Sequence, residues 1–310
     1  MTDIADGGAV RFLEVLEHLD APDPRDDIDT ASLVQRFPAL AGVTVRDVEI
    51  AGPHGAVLGR VYRGAAEPSA GLVWVHGGAF IAGSLDMPES NWIALEFASR
   101  GLAVLALDYR KALDGVTYPV PSDEVLAGWL AAAGTADLLG LPPERLHLGG
   151  ASAGANLSTG VAVRLRDGAG PLPASLVLVY PVLHAEVPAA SAAAASAIAG
   201  LPDEMRFTPG FMRAINLNYV GDPAGLADEV AFPANAEAAG IPPTFIRNAE
   251  ADDLRPSGEA FGAKLAAGGV EVESGFEPGT VHGYLDQPGL PAAIATVDLI
   301  TEWITAHTPD

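Results

Sequence analysis

The stretch Leu146-His147-Leu148-Gly149-Gly150-Ala151-Ser152-Ala153-Gly154-Ala155-Asn156 decides how the rest of the chain is read. An apolar run predicts a strand, small residues predict a sharp turn, and a helical pattern continues to about residue 166. Gly150-Ala151-Ser152-Ala153-Gly154 is a G-x-S-x-G on that turn. A serine hydroxyl is a weak nucleophile and must be presented beside a base and an oxyanion site. A strand-to-helix elbow presents it so, and needs small residues on both sides because the two backbones crowd there.

Working outward, short apolar runs alternate with helical segments. Strands are expected at 72–75, 103–107, 176–180, 244–248 and 270–276, with helices near 122–133, 257–267 and 291–306. Buried strands separated by helices predict an α/β fold, a mostly parallel central sheet with helices on both faces. Residues 43–63 alternate like an antiparallel pair turning at Gly52-Pro53-His54-Gly55. At the start, Phe12, Val15, Leu16 and Leu19 form a helical stripe; Ala21–Asp27 breaks it, and Thr30 opens a short helix that ends before Pro38. Between Pro181 and Pro243 no strand pattern occurs, whereas Ala189–Ala199 and Phe211–Tyr219 read as helical. The expected organisation is N-terminal cap helices at 1–42, a core at 43–184, a cap insertion at 185–240, and the rest of the core at 241–310.

Composition narrows the chemistry. The 310 residues include 49% hydrophobic and 18% charged residues, which excludes wholesale disorder. There is no cysteine, hence no thiolate nucleophile, disulfide or cysteine-held zinc. Forty acids against 17 basic residues give a net charge of −23, a poor match for nucleic acid. Lysine occurs only as Lys111 and Lys264, neither with a serine three residues before it, so a Ser-x-x-Lys acyl enzyme is excluded. No G-x-G-x-x-G, P-loop or H-x-x-x-H pattern is present, so neither a cofactor nor a metal is expected. No uninterrupted apolar run reaches the roughly 18 residues of a membrane span, and acids stand where a signal peptide carries positive charge. A cytoplasmic location is the expectation.

Three further elements complete a candidate site. His76-Gly77-Gly78-Ala79-Phe80 follows the strand at 72–75, and adjacent glycines can aim backbone amides at an oxyanion, with the Ala153 amide as a further donor. Of seven histidines, His18, His54 and His307 fall in a helix, a turn and the tail, and His147 lies inside a strand. His76 belongs to the glycine loop, where it orients the backbone, and His184 is a minor alternative. His282 follows the last strand, where an imidazole reaches over the strand ends, and is the expected base. For the carboxylate that fixes its tautomer, Asn248-Ala249-Glu250-Ala251-Asp252-Asp253-Leu254-Arg255 offers three acids. Asp252 is chosen, Asp253 comes second, and Glu250 is expected nearby without pairing the base.

With these residues in place, the chain resembles the hormone-sensitive-lipase-like esterases of the α/β-hydrolase superfamily, over roughly residues 70 to 305. His76-Gly77-Gly78-Ala79-Phe80 is similar to HGGGF, Gly150–Ala155 to GDSAGG, Asp108-Tyr109-Arg110 to DYR, Tyr180-Pro181 to YP, Asp252-Asp253-Leu254-Arg255 to DPLR, and His282-Gly283-Tyr284 to HGF. The resemblance implies Ser152 as nucleophile, His282 as base, Asp252 as its partner, and oxyanion donors at Gly77, Gly78 and Ala153. It also implies a homodimer. Departures are Ala79 for the third glycine, Ala151 for the elbow Asp, Ala155 for the final Gly, and Lys111-Ala112-Leu113-Asp114 for LAPE.

The expected activity is hydrolysis of neutral short- to medium-chain esters, small molecules that a strongly anionic protein does not repel. An amidase, carbamate hydrolase or acyltransferase would use the same three residues, and a non-catalytic binding protein would need only the fold. Phe207, Phe211, Met212 and Tyr219 fall at roughly helical spacing and either pack on the core or line an acyl or alcohol pocket.

Overall fold

In the computed structural model, residues 3–17, 27–135 and 137–309 are described. Eight strands form one sheet: β1 (Thr44–Gly52), β2 (Gly55–Arg63), β3 (Ala70–Val75), β4 (Leu102–Asp108), β5 (Leu146–Ala151), β6 (Leu176–Val179), β7 (Thr244–Ala251) and β8 (Val272–Val281). Their spatial order is β1-β2-β4-β3-β5-β6-β7-β8, antiparallel from β1 through β4 and parallel from there on. The expected mostly parallel sheet is present, and its hairpin forms the antiparallel edge.

Strand periodicity sorts the core into two layers. Val73, Val75, Leu105, Leu107 and Leu148 face a cluster with Val125 and Trp129 of α4 (Val120–Gly134) and Val161 of α5 (Ala153–Arg164). Leu72, Trp74, Val104 and Ala106 face the other layer, with Trp92 and Phe97 of α3 (Asn91–Ser99) and Val297 and Ile300 of α9 (Pro291–Ala306). Alternate side chains of a strand leave on opposite faces, so a sheet buried on both sides reads as an unbroken apolar run. Helix α3 has no counterpart in the sequence reading: Asn91–Leu95, Phe97 and Ala98 are all buried, which erases the one-sided stripe that marks a surface helix.

Between β6 and β7 lie α6 (Ala192–Ile198) and α7 (Pro209–Val220). The first helix, Asp3–Glu17, packs on α7. Leu33 of the second N-terminal helix, Thr30–Arg36, and Leu40 in the turn after it are buried in the core layer of Trp74 and Trp92. Leu19, His18 and most of the break at Ala21–Asp27 lie outside the described residues. The remaining helix, α8 (Arg255–Ala267), follows β7 directly.

Candidate active site

The parallel strands end together, and their registers bring the motifs to one edge. Val75 pairs with Gly150 and Ala151 with Val179, so the residues just after β3, β5 and β6 are neighbours. Across β7 and β8, Ala249 pairs with Glu277 but Ala251 with Val281. Residues 278–280 therefore oppose one residue of β7, a bulge that slides the end of β8 into register. Asp252 and His282, each the next residue in its chain segment, end side by side.

Ser152 joins β5 to α5 at φ 51° and ψ −118°, a conformation that L-residues rarely adopt. Its neighbours must be small for a measurable reason. A Cβ on Gly150 would stand 2.3 Å from the Val75 carbonyl oxygen, and one on Gly154 2.0 Å from the same atom. The elbow is pressed against the end of β3, and only glycine fits. The Ser152 amide donates to the Val179 carbonyl at 2.9 Å, so the turn is bonded as well as packed.

Ser152, Asp252 and His282 form a connected line. Ser152 Oγ lies 2.9 Å from His282 Nε2, and His282 Nδ1 lies 2.8 Å from Asp252 Oδ2. A carboxylate only accepts, so Nδ1 carries the proton and Nε2 presents its lone pair to the hydroxyl. Asp252 is 1% exposed, and its other oxygen accepts the Leu254 amide at 2.9 Å. The two competing acids are engaged elsewhere. Asp253 accepts both Nε and Nη2 of Arg206, at 2.8 and 2.9 Å, and Glu250 accepts the Gly279 amide at 2.7 Å. The competing histidines are too: His184 meets Ser257 Oγ at 2.9 Å and His147 meets Ser175 Oγ at 2.7 Å.

One amide of the glycine loop is already engaged. The Gly77 amide, expected as an oxyanion donor, already donates to Glu89 Oε1 at 2.6 Å. The following two amides are oriented through the carbonyls of their own peptide planes. Gly77 C=O accepts from His76 Nδ1 at 2.8 Å and from Tyr109 Oη at 2.9 Å. Gly78 C=O accepts from the Ile81 and Ala82 amides at 2.9 and 2.8 Å. In a planar trans peptide the N–H points opposite to the C=O, so these bonds aim the Gly78 and Ala79 amides away from those anchors. Gly78, Ala79 and Phe80 take φ of 104°, 53° and 65°, a run of left-handed residues that the clamps sustain.

Beneath the loop sits a buried polar knot that sequence reasoning missed. His76 Nδ1 bonds a carbonyl and must be protonated, so a neutral His76 has only a lone pair at Nε2. Asp108 Oδ1, also an acceptor, is 3.1 Å from that atom. Lys111 resolves the conflict: its ammonium reaches His76 Nε2 at 3.2 Å and also bonds Asp108 Oδ1. Burial, with the Lys111 charge second, holds the His76 pKa below its usual value, while hydrogen-bonded Asp108 opposes them. Lys111 and Glu89 carried no motif signal. Lys111 stood out only as a departure from the LAPE pattern, and Glu89 only acquires meaning when the loop folds over it.

Aromatic rings enclose the imidazole. Tyr180, fully buried, meets the His282 ring at 4.8 Å, and its hydroxyl donates to Glu89. Phe207, from the segment before α7, meets it edge-to-face at 4.7 Å.

The family described as alpha/beta hydrolase fold matches residues 72–286. Carboxylesterase NlhH of Mycobacterium tuberculosis is 32% identical over 218 residues, 69% of this chain and 66% of that protein, so the match spans slightly under two thirds of it. Carboxylic ester hydrolase LipN of the same organism is 32% identical over 282 residues, covering 86% of this chain and 71% of the relative. Among solved structures, carboxyl esterase 2 from Tuber melanosporum superposes with a TM-score of 0.78 at 25% identity, over the whole of both chains. The metagenomic carboxylesterase EstE1 gives 0.77 at 24% identity, covering 99% and 96%. With its elbow, glycine loop and strand order, the chain belongs to the α/β-hydrolase family, in its hormone-sensitive-lipase-like branch.

Proposed function

We propose that the chain hydrolyses neutral carboxylic esters through an acyl enzyme on Ser152. The observation that carries this reading is the unbroken line Ser152 Oγ to His282 Nε2 at 2.9 Å and His282 Nδ1 to Asp252 at 2.8 Å, set at a strained elbow. As Oγ attacks the ester carbonyl, its proton passes to Nε2, and Asp252 stabilises the imidazolium without taking a proton. The carbonyl oxygen becomes an alkoxide, and the amides of Gly78, Ala79 and Ala153 are its assigned donors, with Ala79 in the place expected for Gly77. Nε2 then protonates the leaving alcohol oxygen as the C–O bond breaks. Water gives its proton to Nε2, attacks the acyl carbon, and releases the acid with Ser152 restored. These groups account for every proton transfer, so no cofactor is invoked.

The net charge of −23 favours uncharged substrates of short to medium chain. The first helix together with residues 185–240 is assigned as the cap over this site, and residues 30–42 to the core. The homodimeric and cytoplasmic readings rest on the family resemblance and the sequence; light scattering and fractionation of the full chain test them. Among the described residues, no helix is long and apolar enough to cross a membrane.

Ser152→Ala is expected to abolish turnover of p-nitrophenyl acetate, by about 10⁴-fold or more, and to abolish labelling by an organophosphate. Wild-type activity in that variant would overturn the assignment.

A further inference from the structure

We propose that Phe207 is the specificity-determining wall on the leaving-alcohol side of the site, held there by Arg11 and Asp253 gripping one peptide from opposite sides. The inference rests on the esterase reading, because it uses the direction of proton transfer. His282 Nε2 protonates the departing alcohol oxygen, so the alcohol group leaves alongside the imidazole. A ring packed on that imidazole is what the alcohol group meets. Tyr180 is fully buried at the core side, whereas Phe207 is only partly buried and comes from the insertion.

The placement of Phe207 is built. The carbonyl of Arg206 accepts Arg11 Nη1 at 2.6 Å, and the amide of Phe207 donates to Asp253 Oδ2 at 2.8 Å. These two groups belong to the same peptide plane and point in opposite directions, so the plane is fixed from both sides. Arg206 adds a two-toothed ion pair to Asp253, and Arg11 Nη2 also holds the Glu204 carbonyl at 2.6 Å. Behind Phe207 lies Phe211, 6.1 Å away, with the Arg11 guanidinium 4.5 Å over its ring. Asp253 occupies the position of proline in the DPLR pattern, and proline has no carboxylate to form such a latch. The grip is therefore this chain's own. A flat, fixed aromatic wall admits unbranched or planar alcohols and rejects branched ones.

The test uses the full-length enzyme and two ester series: acetates of ethanol, n-butanol and cyclohexanol, and ethyl esters of acetic, butyric and octanoic acids. Phe207→Ala is expected to raise kcat/KM for cyclohexyl acetate relative to ethyl acetate by about tenfold, the scale at which one apolar pocket contact discriminates, while the acyl order stays as in wild type. Phe207→Leu should fall between. Arg206→Met removes the ion pair but keeps the peptide amide, and should shift the alcohol ratio in the same direction by less. Added salt should move that ratio in wild type and not in Arg206→Met, because the ion pair is partly exposed. If Phe207→Ala does not fold by thermal melt, Arg206→Met and the salt dependence decide alone. An unchanged alcohol ratio, or a change in the acyl order instead, overturns the proposal. Turnover by Ser152→Ala would instead remove the esterase reading beneath it, so the two failures are distinguishable.

Discussion

The backbone amide of Gly77 is bound to the buried carboxylate of Glu89, 2.6 Å away, and this bond divides the glycine loop into an anchored half and an open half. Glu89 is 2% exposed and also accepts the hydroxyl of Tyr180, one of the rings on His282. Removing the carboxylate strands two buried donors, each worth about 1–3 kcal/mol if left unpaired. Glu89→Ala is expected to lower kcat by about 10²-fold, the scale of losing an oxyanion donor, with a smaller change in KM. Glu89→Gln keeps an acceptor for Gly77 and should remain within about tenfold of wild type. Steady-state kinetics with p-nitrophenyl acetate measure both, and wild-type kcat in Glu89→Ala would show that the loop does not depend on this anchor.

Lys111 sets the proton count of His76. With Lys111→Met, Asp108 faces the His76 Nε2 lone pair with no donor between them, and a second proton on the imidazole becomes easier to hold. The His76 pKa, held down in wild type by burial and then by the Lys111 charge, should rise, because that charge is gone while the Asp108 bond that raises it remains. Long-range nitrogen–proton NMR of the imidazole over a pH series reads this directly: Nε2 should take up its proton at a higher pH in the variant than in wild type. An unchanged spectrum would contradict the assignment.

Buried neutral histidines make the fold acid-sensitive. Burial pushes His147 down from the ordinary 6.5 to about 3 and His184 to about 4, with a nearby cation or histidine adding to each. The unfolded chain binds these protons below pH 6.5 while the folded chain does not, so stability falls as pH drops through this window. It levels off for His147 only below about pH 3, where the folded form protonates as well. Urea unfolding midpoints should therefore decline between pH 7 and about 4.5. His147→Asn, which keeps polar contacts without titrating, should flatten part of that decline, and an equal slope in both proteins would refute the role of His147.

Gly154 tests the packing of the elbow. A methyl there would meet the Val75 oxygen at 2.0 Å and the His76 oxygen at 2.5 Å, both backbone atoms with little room to yield. Gly154→Ala is expected to destabilise by about 3 kcal/mol and to depress activity by separating Ser152 from the glycine loop. Gly134→Ala is the control: it ends α4, has nothing within 4 Å, and should be neutral or slightly stabilising. Melting curves of the two variants compare them directly; equal stability would sink the crowding argument.

Much of this was legible in the residues themselves. Strand runs, the small-residue elbow and the order Ser152, Asp252, His282 are local or ordinal features, and local chemistry is what a sequence displays. Three matters rest on packing, for one shared reason. The sequence ranks Asp252 above Asp253, but what sets Asp252 beside His282 is a bulge at 278–280 that shifts β8 against β7, and register across strands is a long-range property. The engagement of the Gly77 amide depends on Glu89 lying beneath the loop, 12 residues away in sequence. The partners of Asp253 come from residues 206 and 207, and the grip on their shared peptide is completed by Arg11. The sequence by itself determined which functional groups are present and on which kind of element each stands. Tertiary structure alone decided which of those groups face one another, because hydrogen-bond partners are chosen by packing distance and peptide orientation, which no local pattern encodes.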